Sequence, residues 1–439
     1  MVEPESGPVL FVSTGFPPQQ VGGIEQHTIE VARALRGRGV PVAFYSRGDR
    51  EDLEEHATYE TEFDGFRATR VIHRWSSART IRDAFDDDDL VDVFRRYLDE
   101  LKPRLVHVHH LGGLGFSCLR VIEERGIPLI MTLHDLCMMC PRGQMFHADL
   151  YACDRVTPEQ CAPCIAATWP HLMPSGDGEP VDPSRGVDDV ASAAALQDWQ
   201  REVLAIPDLL LTAAPALRDR CVEFGIDPAR IEVEEYGQDL SVFQGITRPP
   251  SDRVRFGFVG TLIPSKGLHV LLEAFARLDP GSASLLVAGN APPFYQCTDY
   301  GERVQTLVGQ VPTANPVEML GTYDHAELPS LLARIDVLVV PPLWYEAFGL
   351  TLREGMLAGC AVLSSRTGGL TQAVREGENG FTFTPGDVDE LANLMQRFVD
   401  DRGLAKRLGE AEKRVRPVEN MVQSLLRTYQ ALGVAVGEA

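Results

Sequence analysis

The feature that most constrains this chain is an alternation of short apolar runs with amphipathic stretches, played through twice. Val9-Leu10-Phe11-Val12 reads as a buried strand and residues 24–37 as a helix. Val42-Ala43-Phe44-Tyr45 is a strand, 82–101 an acidic helix, Leu105-Val106-His107-Val108 a strand, 115–125 a helix, and Leu129-Ile130-Met131-Thr132 a strand. Residues 165–190, rich in Pro, Gly, Ser and Asp, read as a surface excursion. The rhythm resumes with Leu209-Leu210-Leu211-Thr212 and a helix at 215–224. A second series starts at Val254 to Val259 and runs through Ser284 to Ala288, Val317 to Leu320, Val337 to Val340 and Ala361 to Ser364. Strands alternating with helices call for parallel sheets covered on both faces.

The stretch Gly245 to Asp252, with its Arg-Pro-Pro-Ser, reads as a linker. The fold class is therefore α/β, with two doubly wound, Rossmann-like domains at 1–245 and 253–415 and one more helix at 418–434. Two such domains are expected to face a cleft, with ligands outside the carboxyl ends of the strands.

Charge narrows the partners. Across 439 residues, 41 Lys and Arg against 63 Asp and Glu leave −22, which argues against general nucleic-acid binding. No stretch approaches the roughly 20 apolar residues of a membrane span. The start, Met1-Val2-Glu3-Pro4-Glu5, lacks the basic and apolar regions of a signal peptide, so the expected location is cytoplasmic. A peripheral membrane contact is allowed for.

Three strand-to-helix turns carry candidate chemistry. Gly22-Gly23-Ile24-Glu25 opens the first helix; it is either a tight turn or a place where backbone amides meet an anion. Gly260-Thr261-Leu262-Ile263-Pro264-Ser265-Lys266-Gly267 puts Lys266 at the mouth of the second sheet, as a phosphate-binding cation or a solvated loop lysine. Glu346-Ala347-Phe348-Gly349-Leu350-Thr351-Leu352-Arg353-Glu354 sets two carboxylates across a loop-to-helix junction, and carboxylates suit paired sugar hydroxyls. A further turn, Arg366-Thr367-Gly368-Gly369-Leu370, repeats the paired glycines. The run Asp86-Asp87-Asp88-Asp89 reads as a solvated helix face rather than a metal site.

Together with Pro17-Pro18 and Thr132-Leu133-His134-Asp135, these motifs resemble glycosyltransferase family 4, over about residues 9–430. The resemblance implies a GT-B fold whose C-terminal helix crosses back to the first domain. It implies a retaining transfer from a UDP- or GDP-type sugar to a glycan, lipid-linked or small-molecule acceptor, without catalytic metal. Lys266 would contact the donor diphosphate, Glu354 the ribose hydroxyls and Glu346 the sugar hydroxyls. Gly22 and Gly23 would border the diphosphate, His134 would hydrogen-bond the reacting sugar, and Gly368, Gly369 and Leu370 would line the donor site. The departure is Thr261, where many members carry a second diphosphate-binding Arg; Arg353 and Arg366 are nearby substitutes.

Five of the nine cysteines fall between 137 and 164, spaced Cys-x2-Cys-x12-Cys-x7-Cys-x2-Cys. That spacing approaches a structural zinc site with one cysteine to spare; the alternative is free thiols in a long loop. The family resemblance selects Cys140, Cys153, Cys161 and Cys164 as ligands and leaves Cys137 to apolar packing. His107, His109 and His110 either line the acceptor side or are satisfied structure. Competing functions are a nucleotide-sugar epimerase, a non-catalytic GT-B subunit and a nicotinamide-dependent dehydrogenase. The last lacks its Gly-x-Gly-x-x-Gly turn.

Overall fold

The computed structural model describes residues 7–20, 22–174 and 185–435, and the chain divides into two compact units. The first holds an eight-stranded sheet built from β1 (Val9–Ser13), β2 (Val42–Gly48), β3 (Thr58–Phe63), β4 (Phe66–Ile72), β5 (Leu105–Val108), β6 (Leu129–Leu133), β7 (Leu209–Thr212) and β8 (Ile231–Val233). The strand order is β3-β4-β2-β1-β5-β6-β7-β8. All neighbours are parallel except β3, which pairs antiparallel with β4. The second unit holds six strands: β9 (Val254–Val259), β10 (Ala283–Ala288), β11 (Val317–Gly321), β12 (Val337–Val340), β13 (Ala361–Ser365) and β14 (Gly380–Phe383). Their order is β11-β10-β9-β12-β13-β14, all parallel. The strand order reverses beside β1 in one sheet and beside β9 in the other, which makes a crevice at the carboxyl ends of β1/β5 and of β9/β12.

The expected alternation stands, with additions. The β3–β4 hairpin turns through Asp64 and Gly65, both at positive φ, 54° and 72°. That is the Asp-Gly signature of a two-residue hairpin. The acidic helix starts at Asp88 rather than 82 and ends at Leu101, with Asp87 as its N-cap accepting from the Leu90 amide. The surface excursion is partly helical: Pro158–Thr168 runs into its start and Arg185–Leu204 ends it. Residues 175–184 of that stretch lie outside the described residues.

The unit boundaries differ from the expected ones. The division falls after Asp239, because Leu240, Phe243 and Ile246 pack into the core of the second unit. Gln144–Asp154 also belongs to the second unit, where Phe146 packs with Ile263, Phe294 and Trp344. The helix Val418–Ala431 belongs to the first unit. Its Val418, Met421, Val422, Leu425, Leu426 and Tyr429 are buried at helical spacing, each contributing about 1.5–3 kcal/mol of burial. Its approach is pinned by Gln238, whose amide donates to the Arg416 carbonyl and whose carbonyl accepts from the Val418 amide. Gly237 permits this contact, since a Cβ there would collide with the backbone of Pro417 and Val418.

Candidate active site

In the second unit, three turns meet at the carboxyl ends of adjacent strands. The loop after β9 ends in the short 3-10 turn Pro264–Lys266, and Gly267 follows at φ 72°. Gly267 has to be glycine, because a Cβ would collide with the Pro341 carbonyl of the loop after β12. The two loops are also tied by the Leu343 amide donating to the Ser265 carbonyl at 2.8 Å. This close approach brings two of the expected site residues together: Lys266 Nζ donates to Glu346 Oε2 at 2.8 Å, with the ammonium 5.0 Å from the centre of the Trp344 ring.

The turn after β13 supports that carboxylate from below. A Cβ on Gly368 or Gly369 would collide with the carbonyl of Glu346 or Ala347, and the Gly369 amide donates to the Glu346 carbonyl at 2.9 Å. The paired glycines therefore fix the backbone of Glu346. Leu370 is fully buried, so its side chain packs inside the unit rather than facing a ligand.

Glu354 lies in the helix Leu350–Leu357 and is 9% exposed. Its Oε1 lies 3.2 Å from His325 Nε2, a partner from the 3-10 turn His325–Glu327 that sequence reasoning missed. Nearby, burial and then the Glu354 charge push the Tyr323 hydroxyl up to about 12. The only advance signal was Asp324-His325-Ala326-Glu327, a capping box that marks a helix start but not its reach.

Neither expected substitute for the absent arginine is at liberty. Arg353 is buried, its guanidinium 3.5 Å from the Phe348 ring centre and donating to the Phe348 carbonyl. Arg366 donates to Thr382 Oγ1 at 3.2 Å and pairs with Glu390 at 3.5 Å. Both would have to break these contacts to reach a diphosphate.

In the first unit, Gly22 is the extended N-cap of the helix Gly23–Gly37, and its amide donates to Glu25 Oε2 at 2.9 Å. A carboxylate of the chain itself thus already complements this helix start. His134, after β6, joins a cluster at the carboxyl ends of β1, β5 and β6. Its Nε2 is 3.0 Å from His109 Nδ1, and its Nδ1 is 2.5 Å from the Tyr236 hydroxyl. Both ring nitrogens are engaged, so contact with a sugar requires one partner to yield. The Tyr236 ring also lies against His27, at 4.1 Å between centres. Burial holds His27 and His107 down to about 3, and His109 and His134 well below the ordinary imidazole range, so the cluster is neutral at pH 7.

His107 is satisfied structure: Nδ1 meets the Tyr429 hydroxyl at 2.8 Å and Nε2 meets Thr132 Oγ1 at 2.7 Å. His110 is different. Burial opposes its charge, but Asp135, 3.5 Å away, raises its pKa. The Gly112 amide donates to His110 Nδ1, which leaves a proton on Nε2 facing Asp135.

The cysteine segment gives one correction. Cys137 is no plain apolar packing residue: its amide donates to Asp135 Oδ1 at 2.8 Å, and it groups with Asp135 and His110. Burial, then Asp135, pushes its thiol pKa well up. Cys161 and Cys164 lie one turn apart on the helix Pro158–Thr168, a spacing at which two thiols can share an ion. Cys140 and Cys164 are buried and Cys161 is half-buried. Cys153 is half-buried, its amide donating to the Met145 carbonyl at 2.7 Å. The acidic run is corrected too. Asp88 and Asp89 are exposed, but Asp86 accepts from the Ser117 amide and hydroxyl, and the Asp87 side chain is only 7% exposed.

The family Glycosyltransferase Family 4 matches residues 21–157 and Glycosyl transferases group 1 matches residues 243–415. A D-inositol 3-phosphate glycosyltransferase of Streptosporangium roseum is 31% identical over 413 residues, 86% of this chain and 80% of that protein. A glycogen synthase of Mycobacterium tuberculosis is 31% identical over 224 residues, 50% of this chain; that match spans about half the relative's length, 51%. The sucrose-phosphate synthase of Thermosynechococcus elongatus superposes with a TM-score of 0.69 at 19% identity, covering 97% of this chain and 99% of that one. Such solved neighbours have the GT-B fold, and the two parallel-sheet units here are consistent with it.

Proposed function

Because the chain belongs to glycosyltransferase family 4, we propose that it transfers a hexosyl group from a nucleoside-diphosphate sugar, of UDP or GDP type, to an acceptor hydroxyl with retention of configuration. The observation that carries this reading is the Lys266–Glu346 pair at the β9/β12 crevice, with Glu354 on the helix that follows. An ammonium and a carboxylate side by side suit a ligand that is anionic at one end and rich in hydroxyls at the other. Departure of the nucleoside diphosphate gathers negative charge on phosphate, and Lys266 would stabilise it without a metal. Glu346 then accepts from sugar hydroxyls, and Glu354, oriented by His325, accepts from the ribose.

In the first unit His134, held neutral, would donate to or accept from the sugar, while the Gly22-Gly23 turn would border the diphosphate. Attack comes from the face the diphosphate leaves, and the departing phosphate takes the acceptor proton. The acceptor is a glycan, a lipid-linked sugar or a small polyol. The name of the Streptosporangium relative favours the last of these, a phosphorylated cyclitol. Four thiolates at Cys140, Cys153, Cys161 and Cys164 would hold a structural zinc ion and take no part in transfer. The intact set Lys266, Glu346 and Glu354 supports catalysis over a non-catalytic subunit. The test is release of nucleoside diphosphate from a panel of nucleotide sugars, with and without inositol phosphates. No release from any donor, under conditions where the protein binds UDP or GDP, would sink the transferase reading.

A further inference from the structure

A second cluster of ligating side chains lies in the first unit, at the far edge of the sheet from the histidines around His134. Glu55 and His56 precede β3, His73 follows β4, and Asp87 caps the helix Asp88–Leu101. Their side chains converge. His56 Nε2 stands 3.3 Å from Asp87 Oδ2 and 3.9 Å from Glu55 Oε1, and His73 Nε2 stands 3.8 Å from Asp87 Oδ2.

These separations are too long for the interactions they superficially suggest. A charged imidazole on a carboxylate closes to about 2.7–2.9 Å. Here both Nε2 atoms are buried, and neither makes a hydrogen bond to any described residue. A tetrahedral ion with bonds of about 2.0–2.2 Å instead holds its ligands about 3.3–3.6 Å apart. The three separations given above come to that edge within a few tenths of an ångström.

The surroundings fit the same explanation. His73 is 2% exposed, and its Nδ1 lies 3.1 Å from the Gly113 carbonyl. Nδ1 must carry the proton to make that bond, which turns the Nε2 lone pair toward Asp87. A ligating histidine commonly gives its other ring proton to a carbonyl in this way. The carboxylates are held as well: Asp87 Oδ2 accepts from the Ser77 hydroxyl at 2.8 Å, and Glu55 Oε1 accepts from the Arg74 amide at 2.7 Å.

We propose that His56, His73, Asp87 and Glu55 form a binding site for one divalent first-row transition ion, of which zinc is the best match to two imidazoles and two carboxylates. Four protein ligands leave no open position. The ion is therefore a structural clamp that ties the β3–β4 hairpin to the start of the helix Asp88–Leu101.

The whole chain, stripped with a chelator, is titrated with Co²⁺ and with Zn²⁺. The wild type should show visible cobalt bands and a rise in melting temperature. His56→Gln and Asp87→Asn should bind at least about tenfold more weakly while remaining folded; Asn keeps the helix cap. The difference spectrum between wild type and Asp87→Asn should contain visible bands without a thiolate charge-transfer band, which separates this site from any cysteine site. Equal cobalt uptake by all three proteins overturns the proposal. Where a variant does not fold, the histidine ring ¹H–¹⁵N spectrum of the wild type decides: two Nε2 signals move on zinc addition, or the proposal is wrong.

Discussion

The Nζ of Lys266 and the Oε2 of Glu346 lie 2.8 Å apart and join loops that follow two adjacent strands, β9 and β12. The side chains are 29% and 13% exposed, so the pair is partly solvated and adds little to stability. Its value lies in holding a cation and a hydroxyl acceptor at one strand crevice, where a donor sugar would separate them.

Lys266→Ala should therefore lower kcat/KM about 10²–10³-fold, the usual cost of removing one donor to a developing oxyanion. The melting temperature should stay within a few degrees. Steady-state release of nucleoside diphosphate alongside a melting curve checks both. Normal turnover would remove Lys266 from the diphosphate.

Glu354→Ala should weaken nucleoside-diphosphate binding by about 1–3 kcal/mol, because ribose hydroxyls lose their acceptor. His325→Ala should act through Glu354, with a smaller loss of affinity and little added effect in the double variant. Calorimetry with UDP and GDP reads this directly. Additive losses would show that His325 does not work by orienting Glu354.

The two sheets and the turns at Lys266 and Glu346 were legible because strand and helix periods and turn glycines are local signals. What was not legible came from long-range contact. Nothing local says that His325 reaches Glu354, that Tyr236 reaches His134, or that Phe146 packs beside Trp344 within the second unit. Gly368 and Gly369 were visible as a turn, but their work, making room for the Glu346 backbone, appears only once β12 and β13 are side by side. The acidic run misled because charge alone suggested solvent, whereas Asp87 caps a helix and lies buried beside His56 and His73. The β3–β4 hairpin was readable through Tyr59, Thr61 and Phe63 at alternate positions and the Asp64-Gly65 turn, and was missed.

The cysteine proposal predicts zinc in protein purified without added metal. Cys161→Ala should lose that ion, and Cys137→Ala should keep it, since the Cys137 thiol lies with Asp135 and His110 instead. Chelation should lower the melting temperature before it lowers activity. Elemental analysis of the two variants decides; equal zinc in both would reject the assigned ligands.

The buried histidines make the first unit acid-labile well above the range where carboxylates titrate. His27 and His107 have folded values of about 3 against 6.5 when unfolded. Below pH 6.5 the unfolded chain takes up protons that the folded chain refuses, so stability falls as pH falls, from 6.5 down toward the folded values. Each group costs about 1.4 kcal/mol per pH unit over that window. At pH 4.5 the two together remove roughly 5 kcal/mol, and His109 and His134 add to it in the same direction. His110 works the other way: Asp135 raises its folded value, so its contribution is full below 6.5 and is lost as pH rises. One such group does not offset four. The melting temperature should drop steeply between pH 6.5 and 4.5, and His107→Gln, which keeps a polar partner for Tyr429 and Thr132, should flatten the drop. A melting temperature level across that range, or an unchanged slope in His107→Gln, would mean these imidazoles are not buried in their neutral form.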